Sequence, residues 1–484
     1  MGCEKALKKE FVLLINQQFA DDFLALSAEF PLRDSAFFVA LSGGLDSCVL
    51  LDLLVNLASQ YNELDIRVVH YNHRLQHASD EWLVFCEKLA AHYQLPFVSC
   101  SDGVVVEKSS GVEASARKAR YQWFSKVMSD CLEQEVAVKN TVLLTAHHCD
   151  DQAETLLLNM LRGTGLNGLR GIAAIKDFSV NHSRVLSSTI SQTSQILMRP
   201  LLGFTKCDLQ EYASDGQLSW INDPSNQDVA FRRNAIRHQV MPELHKIRPD
   251  ASKQLSKLSH RVSDAQQILQ EVAASDLSFT QQEGFCPMDK SYGLSLEGLR
   301  VFSVSRQINA IRYWLEAIQF PSESEMDLLK VMDWSLNGAA SGAELRRGQR
   351  LYRFYNDVLY VMPHREIDEC SVGLRGELLW SDLSQSLDVS HIFDGDSVGW
   401  QISCEEDSQW FEAVVLIKPA SMSKSIYLPG KKGHIQAKNC FQEYKVPPWR
   451  RQSALFVTTQ EHELLSIIGG RKQKDFYLEY VESH

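Results

Sequence analysis

Phe37-Phe38-Val39-Ala40-Leu41-Ser42-Gly43-Gly44-Leu45-Asp46-Ser47-Cys48-Val49-Leu50-Leu51 is the stretch whose reading decides the fold. Five apolar residues predict a buried strand, and Cys48-Val49-Leu50-Leu51 starts an apolar helix. The hexamer between them is a glycine-hinged turn. Gly43 and Gly44 can take backbone angles closed to other residues and bring N–H groups close to a ligand. The helix behind them adds unpaired N–H donors and the positive end of its dipole. Ser42 and Ser47 supply hydroxyls, and Asp46 supplies a carboxylate able to hold magnesium or an amine. A Gly/Ser string by itself is usually an ordinary turn; the strand before it and the helix after it make it a phosphate loop. No Gly-Lys-Ser/Thr follows, so it is not a Walker A loop, and the Gly-x-Gly-x-x-Gly dinucleotide pattern is absent.

Working outward, the chain has 484 residues, enough for two to four domains. Its 44% hydrophobic and 23% charged content is that of a folded soluble protein. There is no apolar run of membrane-spanning length. Met1-Gly2-Cys3-Glu4-Lys5 offers no signal-peptide core, and Ala6 stands where N-myristoylation wants Ser or Thr. The eleven cysteines are scattered, with no C-x-x-C pair, which predicts reduced thiols in a cytoplasmic protein and argues against zinc ribbons and cysteine-held clusters. A net charge of −12 argues against nucleic acid, but the charge is uneven. Lys424, Lys431, Lys432, Lys438, Lys445, Arg450 and Arg451 face a single acid, Glu443; Arg346, Arg347, Arg350 and Arg353 form a second basic stretch, and Arg232, Arg233 and Arg237 a third. Singly each patch reads as a solvated face; together they fit a phosphate-rich partner.

Residues 5–29 show helical spacing of Phe11, Leu14, Ile15, Phe19, Phe23 and Leu24. Beyond the strand at 37–41, strands are predicted at 66–69, 96–98 and 142–146, and helices at 47–59, 81–93, 113–131 and 151–161. That alternation predicts a parallel sheet with helices on both faces, and ligands on such sheets bind at the carboxyl ends of the strands. The loop at 42–47, His70-Tyr71-Asn72-His73 and His147-His148-Cys149-Asp150-Asp151 all fall at such ends. Residues 183–195 read as an exposed Ser/Thr-rich loop, 201–218 and 250–335 as helical, 342–361 as a hairpin around Asn356-Asp357, and 365–385 as a linker. The chain has no internal repeat.

Asp150 or Asp151 could simply cap a helix. Capping needs one carboxylate, though, and two acids beside two histidines could also bind zinc, magnesium, ATP or an amine. Arg162-Gly163-Thr164-Gly165 follows that helix. Arg117 and Arg120 share one helix face and could reach phosphate or RNA.

Taken in order, Ser-Gly-Gly-x-Asp-Ser, the Val69-His70 strand end with Asp80 and Trp82, Ala116-Arg117-x-x-Arg120-Tyr121 and His147-His148-x-Asp150-Asp151-Gln152-x-Glu154-Thr155 resemble the N-type ATP pyrophosphatases of the PP-loop superfamily. Arg199-Pro200-Leu201-Leu202, the segment from Trp220 to Asn226, Arg233-Asn234-x-Ile236-Arg237, Lys438 to Glu443 and Val446-Pro447-Pro448-Trp449-x-Arg451 narrow the resemblance to bacterial tRNA(Ile)-lysidine synthetases. Asn222 and Pro224 replace acids expected in that family, and Cys149 stands where Leu is commoner. The resemblance implies an α/β, Rossmann-like PP-loop ATPase domain at residues 1–245, a mainly helical tRNA-binding middle domain at 246–375 and a small α+β C-terminal tRNA-binding domain at 385–484. It implies that ATP, with Mg2+, adenylates the wobble cytidine of an isoleucine tRNA with a CAU anticodon, and that L-lysine then displaces AMP to form lysidine. Ser42, Gly43, Gly44, Leu45, Asp46 and Ser47 would bind ATP, and Asp46, Arg117, Arg120, His147, Asp150 and Asp151 would act in catalysis. No metal ligand set is assigned, no membrane is expected, and a homodimer stays open. The runner-up is a related tRNA thiolase, which would need a sulfur-carrying cysteine or a cluster; Cys48 and Cys149 lie near the site but are unpaired.

Overall fold

The structure, a computed structural model, describes residues 2–28, 30–74, 78–101, 112–178, 194–223, 227–229, 231–286, 291–320, 325–337, 343–347 and 350–363, and shorter stretches at 378–380, 387–388, 400–404, 415–419, 425–427, 434–451, 454–459, 463–468 and 476–480. The Ser/Thr-rich stretch 183–193, most of the expected linker at 365–385, residues 224–226, and Lys424, Lys431 and Lys432 lie outside the described residues. The chain divides into two compact units, residues 1–266 and 267–484.

In the first unit, α1 (Gly2–Leu26) leads into β1 (Ser35–Ala40), then α2 (Leu45–Ala58), β2 (Asp65–Tyr71), α3 (Ser79–His92), β3 (Phe97–Cys100), α4 (Val112–Gln134), β4 (Asn140–Leu144) and α5 (Cys149–Leu161). The short α6 (Leu166–Leu169) and β5 (Ile175–Asp177) precede β6 (Ser194–Met198) and α7 (Lys206–Asp215). The sheet order is β3-β2-β1-β4-β6-β5, parallel throughout except for β5, which runs antiparallel to β6 at the edge. Both faces are covered. Phe37 and Val39 join Phe23, Leu50, Leu54 and Val68 in one core, and Ala36 and Phe38 join Phe124, Met128 and Leu143 in the other. Burying each such large side chain contributes about 1.5–3 kcal/mol. On α1, Phe19 and Phe23 are buried as their spacing predicts, but Leu14 faces solvent.

The chain leaves β1 for β2 on one side, and β4 lies on the other, so the order reverses between β1 and β4. That is where such sheets open a crevice at their carboxyl ends. The turn at 42–47 follows β1 and the segment 147–151 follows β4. Three more helices complete the unit's rim: α8 (Arg232–Ala235), which passes through a wide turn at Ile236–Val240 into α9 (Met241–Ile247), and α10 (Ala251–Leu277), which starts within it.

The second unit has the expected helices, α11 (Val304–Ala317) and α12 (Glu325–Asn337), packed on a five-stranded antiparallel sheet. Its strands are β7 (Gln282–Cys286), β8 (Ser291–Ser295), β9 (Glu344–Arg347), β10 (Arg350–Tyr355) and β11 (Val358–Pro363). The expected hairpin is β10–β11, turned at Asn356 and Asp357, both with positive φ (46° and 65°) as a two-residue hairpin turn requires. β7 and β8 fall inside 250–335, a stretch whose sequence reads as helical; β7 is polar, and β8 has only Tyr292 and Leu294 in alternation, too short a pattern to announce a strand. The remaining strands, β12 (Leu378–Trp380) to β20 (Phe476–Tyr480), form three small sheets of four, three and two strands, with α13 (Ala437–Glu443) among them.

One basic patch needs correction here. Arg450 stands in a basic stretch that reads as a solvated face or, with the other patches, as part of a phosphate-binding surface, yet it is 4% exposed. Its guanidinium donates to Ser291 Oγ at 2.7 Å, lies 3.5 Å from Glu283 Oε2 and stacks on Tyr360 at 4.9 Å. Arg451 donates to the Val446 carbonyl, and Trp449 packs edge-on against Tyr355 and Tyr360. Arg450 therefore fastens the Pro-Pro-Trp-Arg turn to the five-stranded sheet. Arg450→Ala takes from Glu283 its charged partner, leaving the Tyr360 hydroxyl at 3.1 Å, and opens a cavity, so it should destabilise the unit by on the order of 3 kcal/mol. Denaturant unfolding of the full chain checks this, and an unchanged midpoint would refute it.

Candidate active site

The turn at 42–47 is shaped by its own side chains. Gly43 has φ +82°, and a Cβ there would lie 3.0 Å from Ile221 Cδ1 and 3.3 Å from Cys86 Sγ. Its carbonyl accepts the Ile221 N–H at 2.8 Å, which ties the turn to the Trp220-Ile221 segment. Gly44 is the N-cap of α2 in an extended conformation. Ser47 Oγ donates to the Gly44 carbonyl at 2.9 Å and accepts the Ser42 N–H at 3.2 Å, while Ser42 Oγ accepts the Gly44 N–H at 3.3 Å. Asp46 sits in the first turn of α2, where a carboxylate favours the helix dipole.

His148, rather than His147, is the centre of the constellation. Its side chain is 4% exposed. Its ring lies 3.8 Å from Asp46, 3.6 Å from Asp150 and 3.5 Å from Asp151. Burial alone would discharge it, but Asp150, Asp151 and Asp46 together outweigh burial and push its pKa up. His147 accepts or donates to Thr145 Oγ1 at 3.0 Å. Burial holds its pKa down at about 3, aided by Arg199, Arg117 and Arg233 against the pull of Asp151.

The two aspartates are firmly held. Asp150 Oδ1 accepts from Ser252 Oγ at 2.6 Å, and Asp150 Oδ2 accepts the Lys206 N–H at 2.7 Å. Asp151 Oδ2 accepts the His148 N–H at 3.1 Å, capping α5, so the capping role is real but not its only one. Asp151 Oδ1 accepts from Arg233 at 2.8 Å and Arg237 at 3.2 Å. The same two arginines clamp Glu154, whose side chain is 2% exposed, at 2.6–2.9 Å. Asp46 pairs with the Lys206 ammonium at 2.6 Å. Lys206 and Ser252 carried no sequence signal that set them apart; Glu154 stood in the His-His-x-Asp-Asp-Gln-x-Glu-Thr motif, without a role of its own.

Asp150 and Asp151 are both held below the usual carboxylate range. Burial opposes this, and for Asp150 the His148 ring, the Ser252 hydroxyl and the Lys206 N–H overcome it; for Asp151 it is His148, Arg233 and His147. A depressed folded pKa stabilises above the unfolded value, about 4, and that stability is lost as pH falls through the folded one. The melting temperature should therefore fall on acidification below about pH 4, and Asp150→Asn should flatten the fall. Identical profiles for the two proteins would refute the contribution of Asp150.

Arg117 and Arg120 lie on α4, with their guanidiniums 4.8 and 5.7 Å from the Tyr121 ring. Arg199, following β6, is 6% exposed and donates to the Ala173 carbonyl at 2.5 Å, while its Nε has no partner. Burial, with Arg117 adding to it, pushes the pKa values of Arg120 and Arg199 down. At the end of β2, His70 donates through Nδ1–H to the Leu41 carbonyl, 2.8 Å away, beside the phosphate turn. Among the described residues no cluster of three His, Cys, Asp or Glu side chains is arranged to hold a metal ion. The carboxylate of Asp46, at the mouth of the turn and 29% exposed, fits the single-carboxylate part that magnesium usually takes from a protein when phosphates supply other ligands. All eight cysteines whose surroundings are described are thiols, and no helix among the described residues is long and apolar enough to cross a membrane.

A glycine-hinged turn at the switch point of a parallel sheet, faced by a buried His-Asp-Asp group, defines a class. The chain matches the PP-loop domain family over residues 15–244, an ATP-using class, and the TilS substrate C-terminal domain over residues 415–479. It is 33% identical to the tRNA(Ile)-lysidine synthase of Serratia proteamaculans, over 86% of either chain. It is 32% identical to that of Hydrogenovibrio crunogenus, over 91% of this chain and 95% of the relative, and 30% identical to that of Haemophilus influenzae strain Rd, over 90% and 94%. The chain belongs to the tRNA(Ile)-lysidine synthase family, whose members are ligase-type tRNA-modifying enzymes.

Proposed function

We propose that this protein joins L-lysine to C2 of the wobble cytidine of the isoleucine tRNA with a CAU anticodon, through an adenylated tRNA. The observation that carries the reading is the phosphate turn with Asp46 and Lys206 at its mouth, in a chain similar to lysidine synthases over most of its length. The C2 oxygen attacks the α-phosphorus of ATP, a P–O bond forms, and pyrophosphate leaves along the turn at 42–47. The ε-amine of lysine, having lost a proton, attacks C2; the C–O bond to AMP breaks, and lysidine remains. Magnesium would neutralise phosphate charge, and Asp46 is the side chain to hold it. Ser42, Gly43, Gly44, Leu45 and Ser47 cradle phosphate through hydroxyls and N–H groups. Asp46, Asp150 and Asp151 supply the negative charge that draws the lysine ammonium in, and a carboxylate or the neutral His147 ring takes its proton. Arg117 and Arg120 stabilise charge growing on phosphate.

Domain limits at 1–245, 246–375 and 385–484, with tRNA held on the latter two, complete the proposal. The thiolase alternative is disfavoured by the thiols beside the site. Burial pushes Cys48 up to about 12 and Cys149 up to about 11, so neither is a ready thiolate. Incubating the purified protein with ATP, magnesium, lysine and a transcript of that tRNA should yield a nucleoside of the mass of lysidine. An unmodified cytidine, or one carrying sulfur, would overturn the proposal.

A further inference from the structure

Both nitrogens of Lys206 engage the candidate carboxylates. Its N–H donates to Asp150 at 2.7 Å, and its ammonium lies 2.6 Å from Asp46 Oδ1. Because Asp46 sits in the first turn of α2, directly behind Gly44, that ammonium stands at the mouth of the phosphate turn. The fold has little use for the pair. The two side chains are 38% and 29% exposed, and pairs of that kind contribute about 0–1 kcal/mol. Meanwhile α7 is already fastened to α2. Tyr212 donates to Asp52 at 2.7 Å and accepts from Asn56 at 3.0 Å, while Leu209 and Ala213 are fully buried.

We infer that Lys206 is a phosphate-binding residue, whose ammonium leaves Asp46 when ATP enters and takes an oxygen of the β- or γ-phosphate. This rests on the ATP-dependent reading above. In the free protein the pair is self-neutralising, so Asp46 keeps its place without an unpaired charge. A polyphosphate carries several negative charges and outcompetes one carboxylate for the ammonium. The swing is short, because the flexible four-carbon stem pivots on a backbone pinned to Asp150. Asp46 is then released at the moment the nucleotide and its cation arrive, and the ammonium follows the pyrophosphate as it leaves.

Calorimetric titration tests this without tRNA or lysine, with pyrophosphate, ATP and AMP as probes, each in magnesium buffer. Lys206→Met should weaken pyrophosphate and ATP binding by at least about fivefold, the loss expected for one charge-assisted hydrogen bond. AMP, which lacks the outer phosphates, should bind as before, and Lys206→Arg should retain most of the affinity. Lys253→Met is the control, since Lys253, on α10, pairs with Asp208 of α7 at 3.7 Å rather than with Asp46. A loss below about fivefold for Lys206→Met, or an equal loss for Lys253→Met, would overturn the inference. Unmodified tRNA with the wild-type protein would instead sink the lysidine reading and leave these titrations standing.

Discussion

Asp46→Ala should abolish lysidine formation, lowering the single-turnover rate by roughly a thousandfold while tRNA binding stays nearly intact. Asp46 is 29% exposed and accepts from the Lys206 ammonium at 2.6 Å, so the fold loses little with it. What goes is a carboxylate in the first turn of α2, next to the phosphate turn, that also lies 3.8 Å from the His148 ring. The alanine variant also leaves the Lys206 ammonium without its partner in the free protein. Rapid-quench assays with labelled lysine, alongside filter binding of tRNA, make the comparison. Ordinary turnover in the variant would remove Asp46 from the mechanism.

Glu154→Ala should strongly destabilise the first unit. The carboxylate is 2% exposed and receives three hydrogen bonds from Arg233 and Arg237 at 2.6–2.9 Å. Removing it leaves two guanidiniums converging on Asp151 alone, and breaking such a buried cluster costs about 3–5 kcal/mol. Glu154→Gln keeps the shape but halves the acceptors and should lie between the two. Urea unfolding of the full chain is the readout. A midpoint for Glu154→Ala within error of the wild type would show that Asp151 holds both arginines unaided.

The parts of this architecture that were legible are those encoded in short runs. The strand at 37–41, the glycine turn and the helix at 45–58 are continuous in sequence, and their apolar spacing states their burial. The ends of β2 and β4 were readable for the same reason. What was hidden joins distant residues. Lys206 meets Asp46 across 160 positions, and Ser252 meets Asp150 across 102, and no periodicity can report such pairs. Arg233 and Arg237 were visible as a basic stretch, but only the buried Glu154 turns them from a solvated face into the support of Asp151. Arg450 misled in the opposite direction, since its neighbours in sequence are basic while its neighbours in space are Ser291, Glu283 and Tyr360. His147 and His148 differ by one residue and so lie on opposite sides of an extended segment; which ring turns inward depends on where α5 starts.

The wiring of Asp150 and Asp151 also sets an order of events during synthesis. A nascent chain of about 200 residues already contains β1 to β6 and the glycine turn, and N-terminal segments tend to fold as they emerge. It still lacks Lys206, Arg233, Arg237 and Ser252, which supply the hydrogen bonds from other segments that hold the two aspartates. Until those residues leave the ribosome, the sheet carries two adjacent carboxylates that have the His148 ring beside them but lack their partners from Lys206, Arg233, Arg237 and Ser252. The emerging polypeptide should therefore hold its centre while its nucleotide pocket stays unfinished, and become competent to take ATP only once the first turn of α10 is out.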